Sequence, residues 1–198
     1  KSTSDSLPVY DLLLQLIDEV ITSANFAWSY ELSTGSANFD IKKLNPFALD
    51  TRLQAARINV RIKLGGNTEK QHGIIHLKDE TLNLNAQLIH TADTIHLQKL
   101  VLRRNQSKLK GQGELGLGDQ QRFNFNGQLS HFNLADFIRL PESDLNAKLT
   151  LSGYLSPQPV GSLSFKFLKS QYATHPVAGH GELALNNAGQ GKAAVEFS

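Results

Sequence analysis

Leu109–Leu117 reads LKGQGELGL, and Val177–Leu185, 68 residues further on, reads VAGHGELAL. In the first copy Leu109, Gly111, Gly113, Leu115 and Leu117 fall on every second position; in the second, Val177, Gly179, Gly181, Leu183 and Leu185 do. Apolar residues at period two share one face of a β-strand. Glycine at such positions thins that face or marks a close approach of two backbones. Between the copies, Leu145–Leu155 repeats the pattern through Leu145, Ala147, Leu149, Leu151, Gly153 and Leu155.

Working outward, the alternation is almost unbroken from Leu53. Ile58, Val60, Ile62 and Leu64 lead to a turn expected at Gly65-Gly66-Asn67, and Ile75 and Leu77 follow. Leu82, Leu84, Ala86 and Leu88 alternate with Asn83, Asn85 and Gln87. Ile95 and Leu97 hand over to Leu100 and Leu102 with a slip of one residue, which predicts a bulge. Phe123, Phe125, Gly127 and Leu129 form a further strand, as do Leu163, Phe165 and Phe167, and finally Ala193, Val195 and Phe197. Serial short strands with turn signals between them imply antiparallel connections. The 68-residue spacing also carries Ile95 and Leu97 onto Leu163 and Phe165, so the repeating unit is a block of several strands. Blocks that cannot bury one face alone stack into a solenoid or a long continuous sheet. Asn133–Leu140, NLADFIRL, reads as a short helical insertion stopped by Pro141.

The chain begins differently. In Leu7–Ser23, Leu13, Leu14, Ile17, Val20 and Ile21 recur at helical spacing, with Asp5 or Ser6 as a cap and Pro8 in the first turn. The stripe suits a helix packed on an end or edge of a sheet. Asp11, Asp18 and Glu19, without Lys or Arg on the polar side, argue against a membrane-surface helix. Phe26, Trp28, Tyr30 and Leu32 then alternate as an aromatic strand. The expected organisation is a helix plus aromatic strand over 1–52 and a repeated amphipathic sheet over 53–198.

Composition narrows the classes. Of 198 residues 40% are apolar and 19% charged, which suits a folded segment. A net charge of +2 is too small to argue for nucleic acid or an anionic membrane. The chain has neither Cys nor Met. Absence of Cys removes disulfides and thiolate metal sites. Absence of Met marks the chain as an expected excerpt of a longer protein.

From Leu129 to Gly153, LSHFNLADFIRLPESDLNAKLTLSG, together with GQGELGL, SLSFKF and VAGHGELAL, the chain resembles the AsmA/TamB superfamily of Gram-negative envelope proteins, most closely its TamB-like branch. The cue is a strand ending in L-x-x-F-x-L-A-x-F, a short insertion with Pro, and DLNAKLTLSG. The resemblance covers about the last two-thirds of the chain. It implies a mainly β fold, an elongated antiparallel sheet curled like a taco shell around an apolar groove, to which the residue pattern adds one N-terminal helix and a short helical insertion. It also implies a periplasmic location, with an inner-membrane anchor in a segment outside this stretch. Transport of phospholipid between the inner and outer membranes and an association with outer-membrane protein assembly complete what it implies.

Motifs for chemistry are weak. His72 and His76 in HGIIH have the spacing of a helical zinc pair, but on a strand they stand roughly 13 Å apart, too far to share an ion. Asp79-Glu80 and Glu142 with Asp144 sit at expected turns, where they solvate the chain. GQGELG runs on as a strand, with no helix to receive a phosphate, and no hydrolase or nucleotide fingerprint occurs. The chain therefore reads as a non-enzyme with no cofactor and no metal. Arg103-Arg104 with Lys108 and Lys110 is the only basic cluster; a solvated turn is its first reading, contact with lipid headgroups the second and nucleic acid the last.

What remains is the apolar face. Its expected lining is Leu82, Leu84, Leu97, Leu115, Leu117, Phe123, Phe125, Leu149, Leu151, Phe165, Leu183 and Leu185. Asn83, Asn85, Lys148, Thr150, Ser164 and Lys166 fall on the opposite side. Phospholipid acyl chains could cover such a lining without any polar pocket, since each buried methylene contributes about 0.8 kcal/mol. A second sheet could cover it equally well. The alternatives are thus a structural or adhesive β-module working by protein contact, and a carbohydrate-binding domain using Trp28 and Tyr30.

Overall fold

A computed structural model describes residues 21–29, 34–44, 57–138, 140–186 and 190–197. They form one antiparallel sheet of twelve strands in sequence order, each paired with its chain neighbours. The strands are β1 (Ile21–Ser29), β2 (Thr34–Leu44), β3 (Ile58–Asn67), β4 (Lys70–Lys78), β5 (Leu82–Thr91) and β6 (Thr94–Arg104). They continue as β7 (Ser107–Gly116), β8 (Arg122–Phe132), β9 (Ser143–Tyr154), β10 (Val160–Tyr172), β11 (His175–Leu185) and β12 (Gly191–Phe197). The sheet is not closed: its order is linear, with β1 and β12 at its ends.

Turns are made locally. Asn67 Oδ1 accepts from the amides of Glu69 and Lys70, and Asp79 Oδ1 from those of Thr81 and Leu82, the side-chain mimicry of a backbone turn. The turn expected at Gly65-Gly66-Asn67 therefore falls at Thr68-Glu69, and both glycines belong to β3. The slip expected between Leu97 and Leu100 is a bulge: Leu97 pairs with Gly113 but Leu100 with Gly111. Comparable irregularities occur in β2 after Ile41, in β8 after Leu129 and in β10 after Phe167. Each inserts a residue, which bends the strand and increases its twist. In β2 and β8 the extra length is absorbed at Lys43 and His131, whose φ values are 60° and 47°.

Two expected helices are corrected. The helix over Leu7–Ser23 cannot extend to Ser23, because Ile21 and Ser23 are register partners of Ile41 and Asp40 in the sheet; the rest of that segment lies outside the described residues. Among the described residues of Asn133–Leu140 no α-helix forms. The structure has one 3-10 turn, Leu134–Asp136. Asn133 Oδ1 accepts from the amides of both Ala135 and Ser143, which closes the neck of the loop, and Pro141 follows.

The 68-residue repeat is structural as well as textual. Leu97 faces Gly113 as Phe165 faces Gly181, and Ile95 faces Leu115 as Leu163 faces Leu183. The β6–β7 turn at Asn105-Gln106 likewise corresponds to the β10–β11 turn at Ala173-Thr174. The repeating block is four strands, β6 to β9, after which β10 and β11 restate β6 and β7.

Candidate functional site

Residues directly opposite each other in an antiparallel pair lie on the same face. The register therefore traces the face across the sheet. One row runs Ile41, Val60, Leu77, Leu84, Leu102, Leu109, Leu129, Ala147, Phe167, Gly179, each the partner of the next. Ile21 and Phe197 hold the register positions at its two ends. A second row runs Phe39, Ile62, Ile75, Ala86, Leu100, Gly111, Gly127, Leu149, Phe165, Gly181, Val195. Leu64, Gly73, Leu88, Leu97, Gly113, Phe125, Leu151, Leu163 and Leu183 make a third. Ile95, Leu115, Phe123, Gly153, Gly161 and Leu185 begin a fourth. No charged residue interrupts these rows. With a strand spacing of about 4.8 Å the face is roughly 50 Å long, and four rows make it roughly 20 Å wide.

Every expected lining residue within a strand lies on this face: Leu84 in the first row, Leu149 and Phe165 in the second, Leu97, Phe125, Leu151 and Leu183 in the third, and Leu115, Phe123 and Leu185 in the fourth. Leu82 shares it as the position two before Leu84, opposite Arg104. Leu117 lies one residue past β7, where its amide donates to the carbonyl of Asp93. Asn83, Asn85, Lys148, Thr150, Ser164 and Lys166 all fall on the other face. Most of the first row was missing from the expected lining. Its signal was the same period-two pattern, but Leu102 joins the phase of Leu97 only across a bulge.

The repeat's glycines seat aromatic rings. A Cβ on Gly111 would meet the Phe125 ring at 2.2 Å, and one on Gly127 would meet it at 2.8 Å. A Cβ on Gly181 would meet the Phe165 ring at 2.5 Å, and one on Gly161 the Phe123 ring at 3.3 Å. The rings thus lie down on the sheet rather than standing up from it, each over a position that has no side chain. In the first copy the ring comes from the following strand, in the second from the preceding one.

Burial divides the face. Among the described residues the buried apolar side chains are Ile58, Val60, Ala86, Leu145 and Ala147, all in the first two rows or beyond the first. At this margin the 133–142 loop folds in. Phe137 stacks on Phe132 with centroids 4.9 Å apart, the Arg104 guanidinium lies 5.7 Å from the Phe137 centroid, and Asp136 accepts from Asn105 and from Ser107. Ser107 is fully buried; its hydroxyl donates to Asp136 and accepts from the Asn133 amide. The third and fourth rows are open, with Leu64, Leu151, Leu183 and Leu185 exposed. There Phe123, Leu151, Leu163, Leu183, Leu185 and Pro159 line a trough of about 510 Å³, within the range of small-ligand sites.

The polar face carries the remaining candidates. His72 and His76 both lie there on β4, and the His76 ring bonds to Asn85. Asp79 serves its turn, and Asp144 pairs with His131 at 3.1 Å. Among the described residues no three potential ligands gather round a point, and no helix is long and apolar enough to cross a membrane. The basic cluster is split: Arg103, Lys108 and Lys110 lie on the polar face, whereas Arg104 turns to the apolar side. Trp28 holds a register position opposite Gly35, and Tyr30 lies outside the described residues.

Comparison of the chain with family models, with curated proteins and with solved structures finds no match.

Proposed function

We propose that this chain is a segment of an AsmA/TamB-like envelope protein. In this reading its sheet curls along the bulges into an elongated open trough for phospholipid acyl chains. It thereby serves lipid passage between inner and outer membranes, and with it outer-membrane biogenesis, while an anchor outside this stretch ties the protein to the inner membrane. The observation that carries the reading is the continuous apolar face with Leu151, Leu183 and Leu185 exposed on a single layer of sheet. Such a face is unfavourable in water and is relieved by apolar cover. About ten acyl methylenes laid into it would contribute roughly 8 kcal/mol without any polar recognition. Rows without charge let a chain slide, since no position is preferred over the next.

The test is photo-crosslinking in cells, with a photoreactive residue at Leu151, Leu183 or Leu185 and polar-face controls at Thr150 and Ser164. Lipid adducts confined to the first group are expected. If none of those positions captures lipid while Leu183→Asp unfolds the protein, the face is a closed core. Phe125 is a poor probe, because its ring is seated on Gly111 and Gly127.

A further inference from the structure

On the polar face, some directly opposed positions pair a basic side chain with a carboxylate. Arg61 faces Asp40 with Nε 2.8 Å from Oδ1, His96 faces Glu114 at 3.3 Å, and His180 faces Glu196 at 3.2 Å. Elsewhere two permanent cations oppose each other: Arg103 faces Lys108, and Lys148 faces Lys166, which on its other side faces His180. Like charges directly opposite each other destabilise a sheet, and local conflicts of this kind are expected where a site demands them. Lys110 lies in the row of Lys148, with Gln128 between them, two strands or about 10 Å away. Among the described residues no carboxylate lies within ion-pair distance of Lys99, Arg103, Lys108, Lys110, Lys148 or Lys166. Lys110 above all, then desolvation and Arg103, hold the Lys108 amine below its ordinary value, the mark of an uncompensated positive field.

A hollow of about 530 Å³ opens within this strip. Lys99, Lys110 and Lys148 line it together with Gln112, Asn126 and Gln128, and no carboxylate does. Ammonium groups around neutral amide donors suit a ligand with several anionic oxygens. Arginine, whose planar fork favours carboxylates, is absent from the lining. We infer that this hollow on the polar face binds a phosphate-bearing ligand, with monoester or diester oxygens held among Lys99, Lys110 and Lys148. The site lies on the face opposite the apolar trough and does not depend on that trough's function.

The experiment titrates the purified protein with inorganic pyrophosphate and with glycerol 3-phosphate. It also measures co-flotation with phosphatidylcholine vesicles made with and without phosphatidylglycerol. Lys110→Gln/Lys148→Gln is the test variant and Arg61→Gln the control. Saturable binding of the soluble phosphates, weakened at least tenfold in the double variant but not in the control, supports a free phosphate compound. Binding only to phosphatidylglycerol vesicles, lost in the same variant, supports a lipid headgroup. The unliganded double variant should melt about 1–2 °C higher, because repulsion is relieved, while its thermal shift with phosphate disappears. No binding to either probe, or equal binding by wild type and the double variant, overturns the proposal.

Discussion

Along the margin of the apolar face where β6–β7, β8–β9 and β10–β11 turn, Val60, Ala86, Leu145 and Ala147 are buried; along the opposite margin Leu64, Leu151, Leu183 and Leu185 stand 37–43% exposed. All eight residues are apolar, although the buried set is smaller in volume. The backbone differs as well. The first margin carries the β2, β8 and β10 bulges, the inward loop with the Phe132–Phe137 stack, and two buried serines, Ser107 and Ser170. Ser170 Oγ donates to the Asn146 carbonyl and accepts from its amide, so the side chain mends the ladder that the β10 bulge interrupts. Among the described residues the open margin has no buried serine and no aromatic stack of this kind. Among the described residues, a sheet of one layer thus covers one margin of its apolar face and leaves large side chains exposed along the other.

The largest effect should come from placing the same charge at each margin. Ala147→Asp buries an unpaired carboxylate at a position with 0% exposure and should abolish cooperative folding or lower Tm by more than 10 °C. Leu183→Asp, at 42% exposure, should shift Tm by only a few degrees. Equal losses in thermal melts would show that the margins do not differ.

Next is the seating of rings on glycine. Gly111→Ala must displace the Phe125 ring and should destabilise by about 1–3 kcal/mol, although alanine in place of glycine ordinarily favours a strand. In a double-mutant cycle with Phe125→Leu, measured by urea unfolding, most of that loss should vanish. A loss that persists in full would locate the clash elsewhere.

Ser170→Ala should cost about 1–3 kcal/mol, because it leaves the Asn146 backbone groups unsatisfied beside the bulge. Hydrogen exchange at Asn146 should accelerate with it. An unchanged exchange rate would mean that water or a shifted backbone replaces the serine.

The smallest effect is a gain. Ala173 and Thr174 form the β10–β11 turn with φ of 47° and 70°, a left-handed pair that favours Asn-Gly. Thr174→Gly should stabilise by about 1 kcal/mol. Ala173→Asn should do so by less, matching Asn105 at the same place in the earlier copy. Neither change should alter the open margin, so the solvent exposure of Leu183 should stay as in the parent protein.

Much of this sheet was legible in the residues. Period-two alternation needs only the pleat, so the face shared by Leu84, Leu115, Phe125, Leu151 and Leu183 could be read before any register was known, as could the slip at Leu97–Leu100 and the kinship of the two glycine strands. A three-residue 3-10 turn in place of a helix at Asn133–Leu140 was not legible, since Leu134, Phe137 and Ile138 mimic helical spacing while the loop's neck is closed by a bond between Asn133 and Ser143, which lies outside that stretch. Nor were the seats for Phe125 and Phe165, because a ring over a glycine is a relation between strands and depends on register. The division into closed and open margins also belongs to the tertiary structure alone. Alternation sets which face a side chain occupies, but bulges, turns and one inward loop, acting across strands far apart in sequence, decide whether that side chain is covered.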